Sequence, residues 1–223
     1  MLIDLSHRIA GGMTVFPGDP AVSIENAATL ETDGFRVSAL HLGTHTGTHL
    51  DAPAHSIADG ATLEAVALDD LVAPLVILDA TGHAARDRIG VEALHAAPEI
   101  VPGDIVAVRT GWDARFGDET YLEHPVVDVE LATELWERGV RVLGVDTLNP
   151  DPSWPGDDGA WALPVHEFWL GRGGVIVENL AALDRVPTSG AEAIILPLRL
   201  DGLDGAPVRA VARVPGEREA RDR

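Results

Sequence analysis

The chain contains no cysteine. Disulfides and thiolate ligands are therefore excluded, and any bound metal must be held chiefly by His, Asp and Glu. Lysine is also missing: all 16 basic residues are arginine, against 36 Asp and Glu, for a formal net charge of −20. Such a surface repels nucleic acid and anionic membranes, so neither is expected as a partner. No apolar run approaches the roughly 20 residues that a membrane helix needs. The opening Met1-Leu2-Ile3-Asp4-Leu5-Ser6 lacks the basic and apolar regions of a signal peptide, which makes cytoplasmic residence the expectation.

What remains is a chain of 223 residues, 46% hydrophobic, long enough for one sizeable core and too apolar for disorder. No repeat or low-complexity linker divides it. A single domain is expected over residues 1–214, followed by a polar tail at 215–223.

Short β-rich segments alternate with a few helical ones. Leu2–Leu5, Val22–Glu25, Arg36–Leu42, Leu75–Asp79, Ile105–Arg109, Val140–Val145 and Val175–Val177 read as strands. Val91–Ala96 and Val129–Arg138 read as helices, the second stopped by Gly139. Ile194–Leu200 and Val208–Val214 pair as a hairpin across Asp201–Pro207. One mixed α/β domain with several sheet segments fits this pattern.

The chemistry is concentrated between His45 and His55, where three imidazoles and one carboxylate fall within eleven residues. Neutral His and ionised Asp are ligands that zinc, manganese and related divalent ions prefer. Gly47 and Pro53 interrupt the run, so it is not one plain helix or strand. On an extended segment, His49 and Asp51 project to the same side, and a bend at Gly47 brings His45 to them. Three protein ligands with an open position are the usual arrangement of a catalytic zinc. His55 is then a fourth ligand, a proton shuttle, or a residue that ties the loop by hydrogen bonds. The remaining histidines are read as structural: His7, His83, His95 and His124 as surface or satisfied core residues, and His41 as packing.

A second pair lies downstream. Glu178 ends the apolar run Val175-Ile176-Val177, and a carboxylate there needs a partner, either an arginine or a metal. With His166 and the first cluster it points to a two-metal site with a bridging carboxylate.

The run His45-Thr46-Gly47-Thr48-His49-Leu50-Asp51-Ala52-Pro53-Ala54-His55 resembles the signature of the metal-dependent cyclase-like hydrolases, a family that includes bacterial kynurenine formamidase and isatin hydrolase. Asp4-Leu5-Ser6, Phe16-Pro17-Gly18-Asp19, Thr110-Gly111-Trp112 and Gly144-Val145-Asp146-Thr147 extend the likeness over nearly the whole chain. The resemblance implies a swivelling β/β/α-type fold, a homodimer or homotetramer, and one or two divalent ions, zinc first and manganese second. It implies His45, His49 and Asp51 as ligands of one metal, and Asp51, His166 and Glu178 as ligands of the other. It makes His55 the general acid/base and Phe16 an aromatic substrate contact, although a lone Phe equally well packs. The implied reaction is hydrolysis of a small amide, N-formylkynurenine to kynurenine and formate. The alternatives are a cyclic amide of the isatin type, a metal-dependent lyase or dehydratase, and a non-catalytic metal-binding protein. One departure bears on the substrate. Asn149-Pro150-Asp151-Pro152 carries Asn149 where the formamidase pattern has Ser, and the segment beyond it, with Trp154 and Trp161 as pocket or packing residues, also differs.

Overall fold

Twelve strands and three α-helices follow in chain order in the computed structural model, which describes residues 1–157 and 159–216. They are β1 (Leu2–Asp4), β2 (Ser23–Ala28), α1 (Leu30–Asp33), β3 (Val37–His41), β4 (His49–Asp51), β5 (Val72–Asp79), β6 (Arg88–Ile89), β7 (Ile105–Arg109), β8 (Val126–Val127), α2 (Val129–Glu137), β9 (Val142–Val145), α3 (Pro164–Leu170), β10 (Val175–Glu178), β11 (Ala191–Pro197) and β12 (Gly205–Arg213). Most of the expected tail, 217–223, lies outside the described residues.

Eight strands form the main sheet in the order β1-β12-β11-β5-β7-β9-β10-β4, and β4 also pairs with β12. That last pairing closes the sheet into a ring, with β1 attached to the free half of the β12 edge. The β5, β7, β9 and β10 neighbours run parallel, whereas the other pairings are antiparallel. The mixed α/β class matches the expectation, and β11 and β12 form the expected hairpin.

Residue alternation explains the layers. Leu75, Ile77, Ile105, Ala107, Val177, Ala193, Ile195, Ala210 and Ala212 fill one face with Ile3, Leu5 and Leu50. Val76, Leu78, Val106, Val108, Leu143, Val145 and Ile176 fill the other, under Leu131 and Leu135 of α2 and Val165 and Trp169 of α3. The parallel strands are therefore buried on both faces and read as continuous apolar runs. This alternation also positions the site. Leu50 belongs to the first face, so His49 and Asp51 point to the second; Glu178 lies there too, two residues after Ile176.

The short elements α1, β6 and β8 were not expected, and two further differences have a clear physical reason. Val91–Ala96 is a 3₁₀ helix rather than an α-helix, because only seven residues lie between Gly90 and Pro98 and the last of them, Ala97, precedes proline and so avoids the helical region. Helix α3 was not expected. It carries Pro164 in its first turn but no local side-chain cap; Asp151 supplies one from a distance, accepting the N–H groups of Val165 and His166 at 2.9 Å each.

Candidate metal centre and active site

The segment from His45 to His55 is held in place by bonds to distant parts of the chain. Gly47 takes φ 64°, the left-handed turn that brings His45 back toward β4. Thr48 donates its hydroxyl to the Asn179 carbonyl at 2.5 Å and accepts the His7 N–H at 2.9 Å. In β4, His49 pairs with Glu178 across β10 and with Pro207 across β12, while Asp51 pairs with Ile176 and Gly205. A 3₁₀ turn at Pro53–His55 then carries His55 to the same place.

The buried carboxylate of Asp51 sits at the centre. Its Oδ1 is 2.6 Å from His45 Nδ1 and 3.2 Å from His49 Nε2, and its Oδ2 is 3.6 Å from His166 Nε2. Glu178 reaches His49 Nε2 at 3.3 Å and His166 Nε2 at 3.2 Å with its two oxygens. Ligand-type atoms gather most closely in two groups, His45–Asp51–His55 and His49–Asp51–Glu178, which share Asp51. The resemblance had divided the residues differently, with His49 beside His45 and Glu178 beside His166.

Each of the three inner imidazoles is tied at one nitrogen and faces Asp51 with the other. His49 donates from Nδ1 to the Gly47 carbonyl at 2.8 Å, and His166 donates from Nδ1 to Asp151 at 2.8 Å. His45 meets Asp204 through Nε2 at 2.8 Å. A carboxylate or carbonyl behind an imidazole fixes its tautomer and leaves the opposite lone pair for a metal.

The electrostatics agree with that arrangement. Burial pushes the Asp51 carboxyl up, but His49, His166 and His45 outweigh it and hold it well below the usual carboxylate range. Burial depresses His49 and His166, but the surrounding carboxylates outweigh it and raise both well above the usual histidine value. His45 is also raised: burial opposes the charge, while Asp51 and Asp204 favour it. Protons thus balance the carboxylates when no metal does. His49 Nε2, Asp51 Oδ2 and Glu178 Oε1 are buried, close to one another and without hydrogen-bond partners. Orphaned inward-facing N and O atoms on ionisable ligands are the donor set that a divalent ion satisfies.

His55 differs. Burial lowers its value, which leaves the ring neutral near pH 7, and its closest charge contact is Asp204 at 3.5 Å. It stands on the wall of a pocket of about 190 Å³. The apolar side of the pocket is Phe16, Leu148 and Leu163, and its polar side is Asp19, Asn149, Glu178 and the four histidines 45, 49, 55 and 166. A cavity of roughly 150 Å³ accommodates benzene, so this space takes one aromatic ring.

Phe16 therefore lies at the site, with Trp161 tilted against it at 5.3 Å between ring centroids. Trp154 packs near His124 and Arg86 instead of lining the pocket. His124 is buried and satisfied by Pro125 and Ser153, as expected of a core histidine. His41 is exposed on β3 and does not pack, because the β2–β3 ribbon stands apart from the main sheet. Sequence reasoning missed Asp151, Asp204 and Asp19 as parts of the site. Asp19 and Asp151 stand within quoted motifs, but no spacing rule connects them to the histidines. Asp204 reaches the site only through the β4–β12 pairing.

Comparison with known proteins gives concordant results. The Cyclase family model matches residues 3–152. A kynurenine formamidase of Paracidovorax citrulli is 35% identical, over 96% of this chain and 97% of that protein. Isatin hydrolase A from Ralstonia solanacearum superposes with a TM-score of 0.86 at 29% identity, covering 96% of this chain and 92% of that one. A structure described as a potential metal-dependent hydrolase with cyclase activity superposes at 0.78 with 29% identity, covering 96% and 99% of the two chains.

Proposed function

The chain belongs to the Cyclase family, and on that premise we propose that it is a metal-dependent hydrolase of small aryl amides, converting N-formylkynurenine to kynurenine and formate. The observation that carries this reading is the meeting of two features: orphaned His, Asp and Glu atoms, and a pocket sized for one aromatic ring. The likeness to a kynurenine formamidase over almost the whole of both chains selects the substrate.

His45, His49, Asp51, His166 and Glu178 would hold one or two divalent ions, zinc first by their donor chemistry and manganese second. When bound, such an ion supplies an activated water nucleophile at neutral pH and offsets negative charge on the attacked carbonyl oxygen. The remaining work falls to the chain. Phe16, Leu148 and Leu163 hold the aryl ring and keep bulk water from it. His55, a neutral imidazole on the pocket wall, takes up the proton that the attacking water gives up and delivers it to the departing arylamine nitrogen. Asn149 presents an amide where the formamidase pattern has a hydroxyl. Its Nδ2 donates to Ser153 Oγ and its Oδ1 accepts the Asp151 N–H, so its orientation is fixed.

A second reading is favoured by the superposition on isatin hydrolase: opening of a cyclic aryl amide by the same residues. The reading also includes a homodimer. Ile24, Phe35, Val37 and Leu40 are exposed along the β2–β3 ribbon, and a lone two-stranded ribbon is marginal without a partner.

Turnover of N-formylkynurenine and of isatin by the metal-loaded protein, followed as formate release and ring opening respectively, separates these readings. No turnover of either by protein with metal bound would overturn both.

A further inference from the structure

His45 lies between two carboxylates. Asp51 Oδ1 is 2.6 Å from Nδ1, and Asp204 Oδ2 is 2.8 Å from Nε2. A neutral imidazole carries one N–H and can donate to only one of them. The same Asp204 oxygen is 3.5 Å from Nδ1 of His55, and the two imidazole centroids are 3.9 Å apart. Asp204 is itself anchored at the site. Its carbonyl accepts the Ala52 N–H at 2.8 Å, and the next residue, Gly205, is the register partner of Asp51.

We propose that Asp204 is a positioning residue that joins the metal-binding half of the site to the proton-transferring half. It takes the Nε2 proton of His45, so the Nδ1 lone pair is the one turned toward Asp51 and a bound ion. With the same oxygen it holds the Nδ1 edge of His55, which leaves Nε2 of that ring as the nitrogen for proton transfer. A carboxylate behind a ligating imidazole orients the ring and raises its basicity. Here one carboxylate does this for a ligand and steadies the neighbouring acid/base. The inference rests on the reading that His45 holds a divalent ion.

The test begins with the wild-type protein, loaded with zinc and ¹⁵N-labelled at histidine. The expected spectrum shows His45 protonated at Nε2 and metal-shifted at Nδ1, with His55 protonated at Nδ1. His45 protonated at Nδ1 overturns the proposal. In Asp204→Ala, zinc affinity measured by chelator competition should fall about 10–100-fold, the usual cost of losing such a partner. The His55 ring should also lose its single tautomer, its two ¹⁵N shifts moving toward a common average, because the carboxylate that faced Nδ1 has left its side. Asp204→Asn keeps an acceptor oxygen and should fall between the two. Asp201→Asn, on the same loop, should match wild type. Unchanged zinc affinity and an unchanged His55 tautomer in Asp204→Ala also overturn the proposal. Protein that binds zinc and shows the expected tautomers but hydrolyses no amide removes the proposed activity and leaves Asp204 in its role. Protein that takes up no divalent ion removes both.

Discussion

Glu178 stands directly opposite His49 in the antiparallel pairing of β10 with β4, and its Oε2 reaches the ring Nε2 at 3.3 Å. Adjacent strands thus bring together a motif residue and a carboxylate far along the chain. Because Glu178 Oε1 also faces His166 and has no hydrogen-bond partner, Glu178→Gln should keep the fold and lose metal. Elemental analysis of the purified variant should show lower metal stoichiometry, or chelator competition about 10–100-fold weaker binding. Wild-type metal content and affinity would remove Glu178 from the ligand set.

Part of this site is legible in the sequence because it depends on local geometry. His49 and Asp51 share a face at the two-residue period of a strand, and Glu178 is marked by its position at the end of an apolar run. Other parts depend on closure of the ring. Asp204 lies beside His45 only because β12 pairs with β4, and register between such distant strands is not encoded in either segment alone. Helix α3, which presents His166, was missed for a related reason. Its N-terminal N–H groups are satisfied by Asp151 from outside the segment, so the usual capping signal is absent.

Protonation of the inner histidines makes metal-free stability depend on pH in a definite direction. The folded-state values of His49 and His166 lie well above the ordinary histidine value. A group raised on folding stabilises fully below its unfolded value, about 6.5, and that contribution is lost as pH rises through the folded value. Metal-free protein should therefore lose thermal stability from pH 6.5 upward, over the range in which these rings give up their protons. Metal binding needs deprotonated ligands, so the rise in Tm on adding zinc should grow over the same interval. A metal-free Tm that is flat or rising there would contradict the proton balance described for the site.

His55 is the member of the cluster that burial keeps neutral, and it lines the pocket. His55→Ala should retain bound metal and lose roughly 10²–10⁴-fold in rate, the range for one acid–base group. Activated esters, whose leaving groups need no proton, should suffer less than anilides. Metal loss together with equal losses on both substrate types would make His55 a ligand instead.

Gly205 tests whether closure of the ring builds the site. A Cβ at this position would lie 2.6 Å from the Leu50 carbonyl oxygen and 2.9 Å from Cε1 of His45. The first contact is with backbone of β4 and has no flexible end to move aside. The second is with the imidazole that sits between Asp51 and Asp204. Gly205→Ala must therefore part β12 from β4 or push His45 out of place. Overpacking of this kind costs about 1–3 kcal/mol, read as a lower Tm, and the displaced ring should reduce metal stoichiometry as well. Gly11→Ala is the matched control, because its Cβ would meet nothing nearer than 3.8 Å. A Gly205→Ala protein with wild-type Tm and full metal content would show that β4 and β12 can separate without disturbing the ligands, and the site would then owe its geometry to the 45–55 segment and β10 alone.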